Sequence, residues 1–112
     1  MVERSHVVAF VDDSARKEYD ELPSTAENWL KPHIDRAFDW LKQDPFCGVA
    51  VPKRQIPVEY RCKGADNLWK YNLPNAWRLL YFVTADQVTI VAVVLEWLDH
   101  KSYEKKFGYR VQ

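Results

Sequence analysis

The chain has 112 residues, enough for one domain with a single hydrophobic core but too few for two. Hydrophobic residues make up 47% of it and aromatic residues 14%, a composition that favours a densely packed folded core over disorder. Its 16 basic and 16 acidic residues balance, so the net charge alone indicates no class of partner.

The charges are unevenly distributed along the chain. Residues 1–52 carry six Lys and Arg against ten Asp and Glu, whereas residues 53–112 carry ten against six. If the two halves form different faces, the second half presents a basic surface suited to nucleic acid or to an acidic protein. The alternative is that the charges only solubilise two surfaces.

The two cysteines lack the spacing of a metal or redox motif. Cys47 and Cys62 are far apart, and no cluster of His and Cys accompanies them, so we expect reduced thiols, no metal and no cofactor in a cytoplasmic protein. We expect no signal peptide, and the longest apolar run, Val88 to Leu95, is too short to span a bilayer.

The first half of the chain predicts one strand and two helices. The apolar run His6–Val11 is typical of a strand, and Ala15–Leu22 suits a short helix that Pro23 ends. A second helix is predicted up to about Gln43, from apolar residues that recur every three or four positions: Leu30, Ile34, Phe38 and Leu41.

The start of the second helix carries two signals. Ser24 and Glu27 have the spacing of a capping box, which predicts that the helix begins at about residue 25. Pro32 lies inside the periodic pattern, and it should either kink the helix or divide it into two turns and a main body.

The second half predicts a long connection followed by a meander. We interpret residues 46–66 as irregular, with a short edge strand at about Val58–Cys62. Three predicted antiparallel strands and a short helix after Asp99 follow, the strands being Leu68–Leu73, Trp77–Val83 and Gln87–Trp97. The last strand is apolar over most of its length, which indicates a central position in the sheet.

This order of elements predicts an α+β domain. An N-terminal strand and two helices pack on an antiparallel sheet, the C-terminal part of which is the three-stranded meander, and a short helix ends the domain. We expect the helices on one face of the sheet, with the helix at about 25–43 packed against the meander.

Two segments, LWKYNLPNAWRLLYFV and VVLEWLDHKSYEKKFGY, resemble the RelE/ParE toxin superfamily of type II toxin–antitoxin systems. In that family a strand with Lys-x-x-Leu turns into a strand with Gly-(Tyr/Trp)-Arg-Leu-(Val/Ile/Leu)-Tyr, and a basic or His-bearing segment with a tyrosine follows the last strand. Ala76 stands where the family commonly has the glycine. The matching residues are Lys70, Leu73, Trp77, Arg78, Leu79, Leu80, Tyr81, His100, Lys101 and Tyr103.

The resemblance implies that residues 1–112 form a single toxin domain that arrests growth. A nuclease of this family cuts messenger RNA on the ribosome without a metal, by attack of the substrate's own 2′-hydroxyl on the adjacent phosphate. Such a reaction needs a base, a cation for the developing charge and an acid for the leaving oxygen. The implied partners are a cognate antitoxin, which forms a hetero-oligomer with the toxin, and the ribosome with its mRNA.

Three residues are candidates for catalysis, each with an alternative. Arg78 could clamp phosphate oxygens through its planar fork, or it could form a salt bridge with Glu96. His100 suits an acid or a base near neutral pH, or it is a surface histidine. Tyr103 could stack on a base or contribute its hydroxyl, or it anchors the last helix. For catalysis these three should converge at one end of the sheet, with Lys70 or Lys101 nearby.

Further basic residues are candidates for contacts with the RNA backbone: Lys53, Arg54, Lys63, Lys70 and Lys101. Each is alternatively a solvated surface cation. Another basic run, Lys105, Lys106 and Arg110, is more typical of a solvated helix face.

Two other functions fit the same sequence. The first is a non-catalytic or retargeted RelE/ParE-like protein, which acts on gyrase or keeps only its antitoxin groove. The second is an unrelated α+β interaction domain. The catalytic residues of the superfamily vary, so the sequence leaves all three hypotheses open.

Overall fold

The computed structural model describes residues 4–108, which fold into a five-stranded sheet and four α-helices. The strands are β1 (Ser5–Phe10), β2 (Val49–Ala50), β3 (Trp69–Asn72), β4 (Arg78–Ala85) and β5 (Thr89–Leu98). The helices are α1 (Asp13–Glu21), α2 (Lys31–Gln43), α3 (Val58–Cys62) and α4 (His100–Phe107). Within this part of the chain, no helix has the length and apolar character needed to cross a membrane.

The sheet has the order β1-β5-β4-β3-β2, which confirms the α+β class. The meander β3–β4–β5 is antiparallel and lies against α2, as predicted, and β5 is an internal strand between β1 and β4, whereas β4 is the central one. One pairing is parallel, because β1 runs alongside β5 in the same direction. The sheet is therefore mixed.

The sheet is covered on both faces, and the expectation of helices on one face is wrong. Leu79 and Tyr81 of β4 pack with α1 and α2 on the face that we call the α2 face. Leu80 and Phe82 point the other way and pack with α3 and α4 on the α4 face. Alternate residues of one strand thus enter two separate cores, which is the pattern of a strand buried on both sides.

The second helix begins later than the capping-box pattern predicted. Ser24 ends one 3₁₀ turn, and Glu27 precedes a second turn that no side chain caps within residues 4–108. The α-helix itself begins at Lys31, so Pro32 lies in its first turn, where a missing N–H breaks no helical hydrogen bond. Pro32 therefore divides the predicted helix, one of the two outcomes expected for it.

Residues Val58–Cys62 form helix α3, so the predicted edge strand at this position is wrong. Val58, Tyr60 and Cys62 alternate as in a strand, but Tyr60 alone among them is buried, and Val58 is 73% exposed. The Tyr60 hydroxyl donates a hydrogen bond to Glu96 of β5 at 2.6 Å. One anchored aromatic side chain is compatible with a helical turn, and the edge strand next to β3 is β2.

The turn between β3 and β4 has a strained backbone. Asn75 and Ala76 have φ angles of 59° and 62°, in the left-handed region. Asn tolerates this region through its short polar side chain, whereas the Cβ of alanine is disfavoured there by about 1 kcal/mol or more. A glycine at position 76 would adopt this conformation without that cost.

Ala76→Gly should raise the free energy of unfolding by up to about 1 kcal/mol, because the relief of left-handed strain exceeds the added freedom of the unfolded chain. Ala85→Gly is the matched control, since Ala85 is also exposed but ends β4 outside the left-handed region. It should lower the free energy of unfolding by about 0.5–1 kcal/mol. Urea unfolding measures both. If both variants lose stability equally, the turn is not strained at Ala76.

Candidate functional site

Arg78, Lys70 and Tyr103 meet on the α4 face of the sheet, and we call this group the Arg78 cluster. Arg78 is the first residue of β4, and it lies on the same face as Leu80, two positions further on. Lys70 of β3 pairs with Leu80 in register. Tyr103 extends from α4 onto these strands and is only 3% exposed.

The Tyr103 ring is the centre of the Arg78 cluster. The guanidinium carbon of Arg78 lies 4.6 Å from the ring centroid. Lys70 Nζ donates a hydrogen bond to the Tyr103 hydroxyl at 3.1 Å and lies 5.3 Å from the centroid. Two cations therefore contact the same aromatic ring, a stabilising arrangement that also concentrates positive charge in one place.

The cations of the Arg78 cluster lack carboxylate partners within residues 4–108. Arg78 donates from one terminal nitrogen to the carbonyl of Ala76. Its Nε is buried and has no hydrogen-bond partner among the described residues. A buried donor without a partner is costly, and the described residues therefore leave part of the hydrogen-bonding capacity of Arg78 unused.

Glu96 does not pair with Arg78, so the salt-bridge alternative for this arginine is wrong. The strand register places Glu96 opposite Leu80 and places Arg78 opposite Leu98. The Glu96 carboxylate accepts hydrogen bonds from Lys106 at 2.7 Å and from Tyr60 at 2.6 Å. Its charge is therefore compensated by α4.

Helix α4 holds Tyr103 in place through several contacts. The Asp99 side chain accepts a hydrogen bond from the Ser102 amide at 2.7 Å and caps the helix, as predicted. Tyr103 stacks on Phe107 with ring centroids 4.5 Å apart. Lys106 pairs with Glu59 of α3 at 2.8 Å as well as with Glu96. The prediction of a solvated helix face is therefore wrong for Lys106, and Arg110 lies outside the described residues.

His100 forms its ion pair within helix α4 rather than with the Arg78 cluster. Its side chain is 55% exposed, and its Nε2 atom lies 3.3 Å from the Glu104 carboxylate, one turn further along α4. Lys101 is exposed on the same helix. Of the three catalytic candidates, the structure thus brings Arg78 and Tyr103 together, with Lys70 rather than Lys101, and it leaves His100 beside the cluster.

The remaining basic candidates lie elsewhere on the molecule. Lys63 forms an ion pair with Asp12 at 3.5 Å, which neutralises it. Lys53 and Arg54 lie on an exposed 3₁₀ turn next to a cavity. Arg61 of α3 lines the same cavity and was not singled out from the sequence, because this segment was interpreted as irregular and its residues could not be placed relative to each other.

The side chains of the Arg78 cluster are suited to bind an anion next to the Tyr103 hydroxyl. Arginine presents a planar fork to phosphate oxygens, and lysine adds a point charge. The described residues contain no group of three or more His, Cys, Asp or Glu side chains placed to hold a metal ion.

Comparison with protein-family models, curated proteins and solved structures finds no match to this chain.

The ion pairs that Lys106 of α4 forms predict that the stability of the fold depends on pH. Burial acts to lower the pKa of Lys106, but its hydrogen bonds to Glu59 and Glu96 outweigh burial and raise that pKa above the ordinary 10.5. A raised pKa stabilises the fold while the amine is protonated, and this contribution is lost as the pH rises through the folded-state pKa. Lys106→Gln should therefore lower the free energy of unfolding by about 1–2 kcal/mol near pH 8, and by progressively less as the pH rises above 10.5 and through the folded-state pKa.

Urea unfolding at about pH 8 and at a pH above 10.5 measures this difference. Lys105→Gln is the matched control, because Lys105 is the exposed neighbour in the same helix, and it should change stability little at either pH. An equal loss for Lys106→Gln at both pH values would contradict the ion-pair account of α4.

Proposed function

We propose that the protein is a RelE/ParE-like toxin of a type II toxin–antitoxin system that cuts messenger RNA on the ribosome. The observation that supports this proposal is the Arg78 cluster. Two cations without carboxylate partners within residues 4–108 contact the Tyr103 ring at one end of the sheet, and one of them, Lys70, also donates a hydrogen bond to the Tyr103 hydroxyl. All three residues belong to the segments that carry the family resemblance.

In the proposed reaction the 2′-oxygen of the substrate attacks the adjacent phosphorus. A new bond from phosphorus to the 2′-oxygen forms, the bond to the 5′-oxygen breaks, and the products are a 2′,3′-cyclic phosphate and a 5′-hydroxyl. Arg78 stabilises the negative charge on the phosphate oxygens, and Lys70 adds a second positive charge. One group takes the proton from the 2′-hydroxyl, and another supplies a proton to the 5′-oxygen.

Tyr103 is the proton-transfer group closest to the proposed phosphate position. Its hydroxyl already accepts a hydrogen bond from Lys70, so a proton can pass between these groups and the substrate. His100 is the second candidate, as acid or base. It would have to leave Glu104 to reach the same phosphate, and its side chain is 55% exposed.

A second candidate function is a non-catalytic or retargeted member that binds an antitoxin or another protein. The Tyr103 ring covers the Arg78 guanidinium, and His100 pairs with Glu104. Both side chains are thus engaged in contacts within the protein, which favours a non-catalytic role. A cognate antitoxin with acidic residues would complement the basic second half of the chain, and its binding would weaken with salt. An antitoxin is the proposed partner in both cases.

Induced expression in a tolerant host, with growth curves and primer extension on messenger RNA, tests the nuclease function. The wild-type protein should arrest growth and produce discrete cleavage sites. Arg78→Ala should reduce cleavage by about 10²- to 10³-fold, because it removes the cation that meets the developing charge. Arg78→Lys should recover only part of the activity, because lysine keeps the charge but lacks the planar fork.

Tyr103→Phe keeps the ring over Arg78 and removes only the hydroxyl, so it separates proton transfer from packing. It should reduce cleavage while the protein stays folded, as judged by thermal unfolding. Arg16→Ala is the control, since Arg16 is an exposed arginine on α1. Cleavage that survives both Arg78→Ala and Tyr103→Phe rejects the Arg78 cluster as the active site, and arrest without cleavage favours the retargeted alternative.

A further inference from the structure

A cavity of about 580 Å³ opens between the 3₁₀ turn at Lys53–Gln55 and helix α3. We call it the basic cavity. Its lining has buried apolar residues as a floor and exposed charged residues around them, and the full set is Ile56, Ala65, Lys53, Arg54, Arg61 and Asp66. This volume is within the range of small-molecule and nucleotide sites.

The cations of the basic cavity are not neutralised by the fold. Within residues 4–108, none of Lys53, Arg54 and Arg61 forms an ion pair with a carboxylate. The acidic lining residue, Asp66, instead accepts a hydrogen bond from the neighbouring Asn67 side chain at 2.7 Å. Three like charges around one space repel each other, and a bound anion would remove that cost.

Neighbouring cations behave differently. Lys63, which directly follows α3, pairs with Asp12, and Lys106 pairs with Glu59 of α3. Lys70 and Arg78 on the same face also lack a carboxylate partner within residues 4–108, so the absence of ion pairs is not by itself special to the basic cavity. What distinguishes the basic cavity is that three such cations line one concave surface, which is the arrangement expected of an anion site.

The basic cavity is also held together by the fold. Arg61 donates a hydrogen bond from Nη2 to the carbonyl of Lys53 at 2.6 Å, which links α3 to the 3₁₀ turn. Ile56 and Ala65 are 5% and 3% exposed, so their packing fixes the backbone below the cations. A site whose backbone is already ordered loses less entropy when it binds a ligand.

We propose that the basic cavity binds a backbone phosphate of single-stranded RNA, at a distance from the phosphate that the Arg78 cluster would hold. The identity of the ligand as RNA rests on the proposed function. The three cations suit the phosphate, and the apolar floor of Ile56 and Ala65 suits a ribose or base next to it. The cavity therefore grips the RNA strand outside the scissile bond.

Fluorescence anisotropy with a fluorescein-labelled, single-stranded RNA ten nucleotides long tests the proposal. The variant Lys53→Gln/Arg54→Gln removes one lysine and one arginine from the cavity. The matched control Arg16→Gln/Lys17→Gln removes the same pair from the exposed surface of α1. We expect the cavity variant to bind about five- to tenfold more weakly, with a salt slope shallower by about 0.7 for each phosphate that the protein no longer neutralises. The control variant should change neither the RNA affinity nor the salt slope by more than about twofold.

Three outcomes would overturn the proposal: unchanged binding in the cavity variant, an equal decrease in affinity in the control variant, or no RNA binding by the wild-type protein. Inorganic phosphate is added in a parallel titration followed by the amide resonance of Ala65. Saturation by phosphate in a protein that does not bind the RNA assigns the cavity to free phosphate and also rejects it as an RNA site.

The nuclease hypothesis is tested separately, by primer extension. If the wild-type protein cleaves no mRNA but RNA affinity falls only in the cavity variant, the basic cavity is supported and the nuclease function is rejected. If it cleaves mRNA and the cavity variant binds RNA normally, the nuclease function is supported and the basic cavity is rejected as a subsite.

Discussion

The burial of strand β4 on both faces is the constraint on which the rest of the structure depends. Leu79 and Leu80 are both fully buried, although they point to opposite faces of the sheet. Such a strand requires helices on each side, and the chain supplies α1 and α2 on one and α3 and α4 on the other. Arg78, the first residue of β4, therefore emerges at the end of the sheet beside α4.

Helix α4 is positioned by charge as well as by apolar contact. Lys106 pairs with Glu96 and Glu59, and burial together with the Glu96 hydrogen bond raises the pKa of Tyr60, which keeps its hydroxyl protonated as a donor. Because Lys106 and Tyr60 satisfy Glu96, Arg78 is left without this carboxylate. The structural ion pair and the candidate anion site are thus two consequences of one strand register.

The elements with strong local signals could be predicted from the sequence. The meander, the internal position of β5 and the Asp99 cap depend on alternation, apolar runs and one side chain, all of which are visible in a short window. Helix α3 could not be predicted, because its single buried residue, Tyr60, is fixed by a distant partner, Glu96. Local periodicity contains no information about such a partner.

The candidate site was predictable to a similar extent. Arg78 and Tyr103 are predictable from their place in segments that resemble the RelE/ParE pattern, and antiparallel pairing brings the start of β4 near the end of β5. The orientation of His100 depends on Glu104 in the same helix turn, and the basic cavity depends on how a segment without clear periodicity folds. These features are properties of the assembled fold.

The central claim is that the Arg78 cluster promotes attack of the substrate's own 2′-hydroxyl on the adjacent phosphate. The chemical groups at the ends of the RNA fragments test this claim most directly. Messenger RNA from cells that express the wild-type protein is labelled at its 5′ ends by polynucleotide kinase, with and without prior phosphatase treatment. We predict new fragments that label without phosphatase, because their 5′ ends carry a free hydroxyl. New fragments that label only after phosphatase treatment, and so carry a 5′-phosphate, would contradict the account.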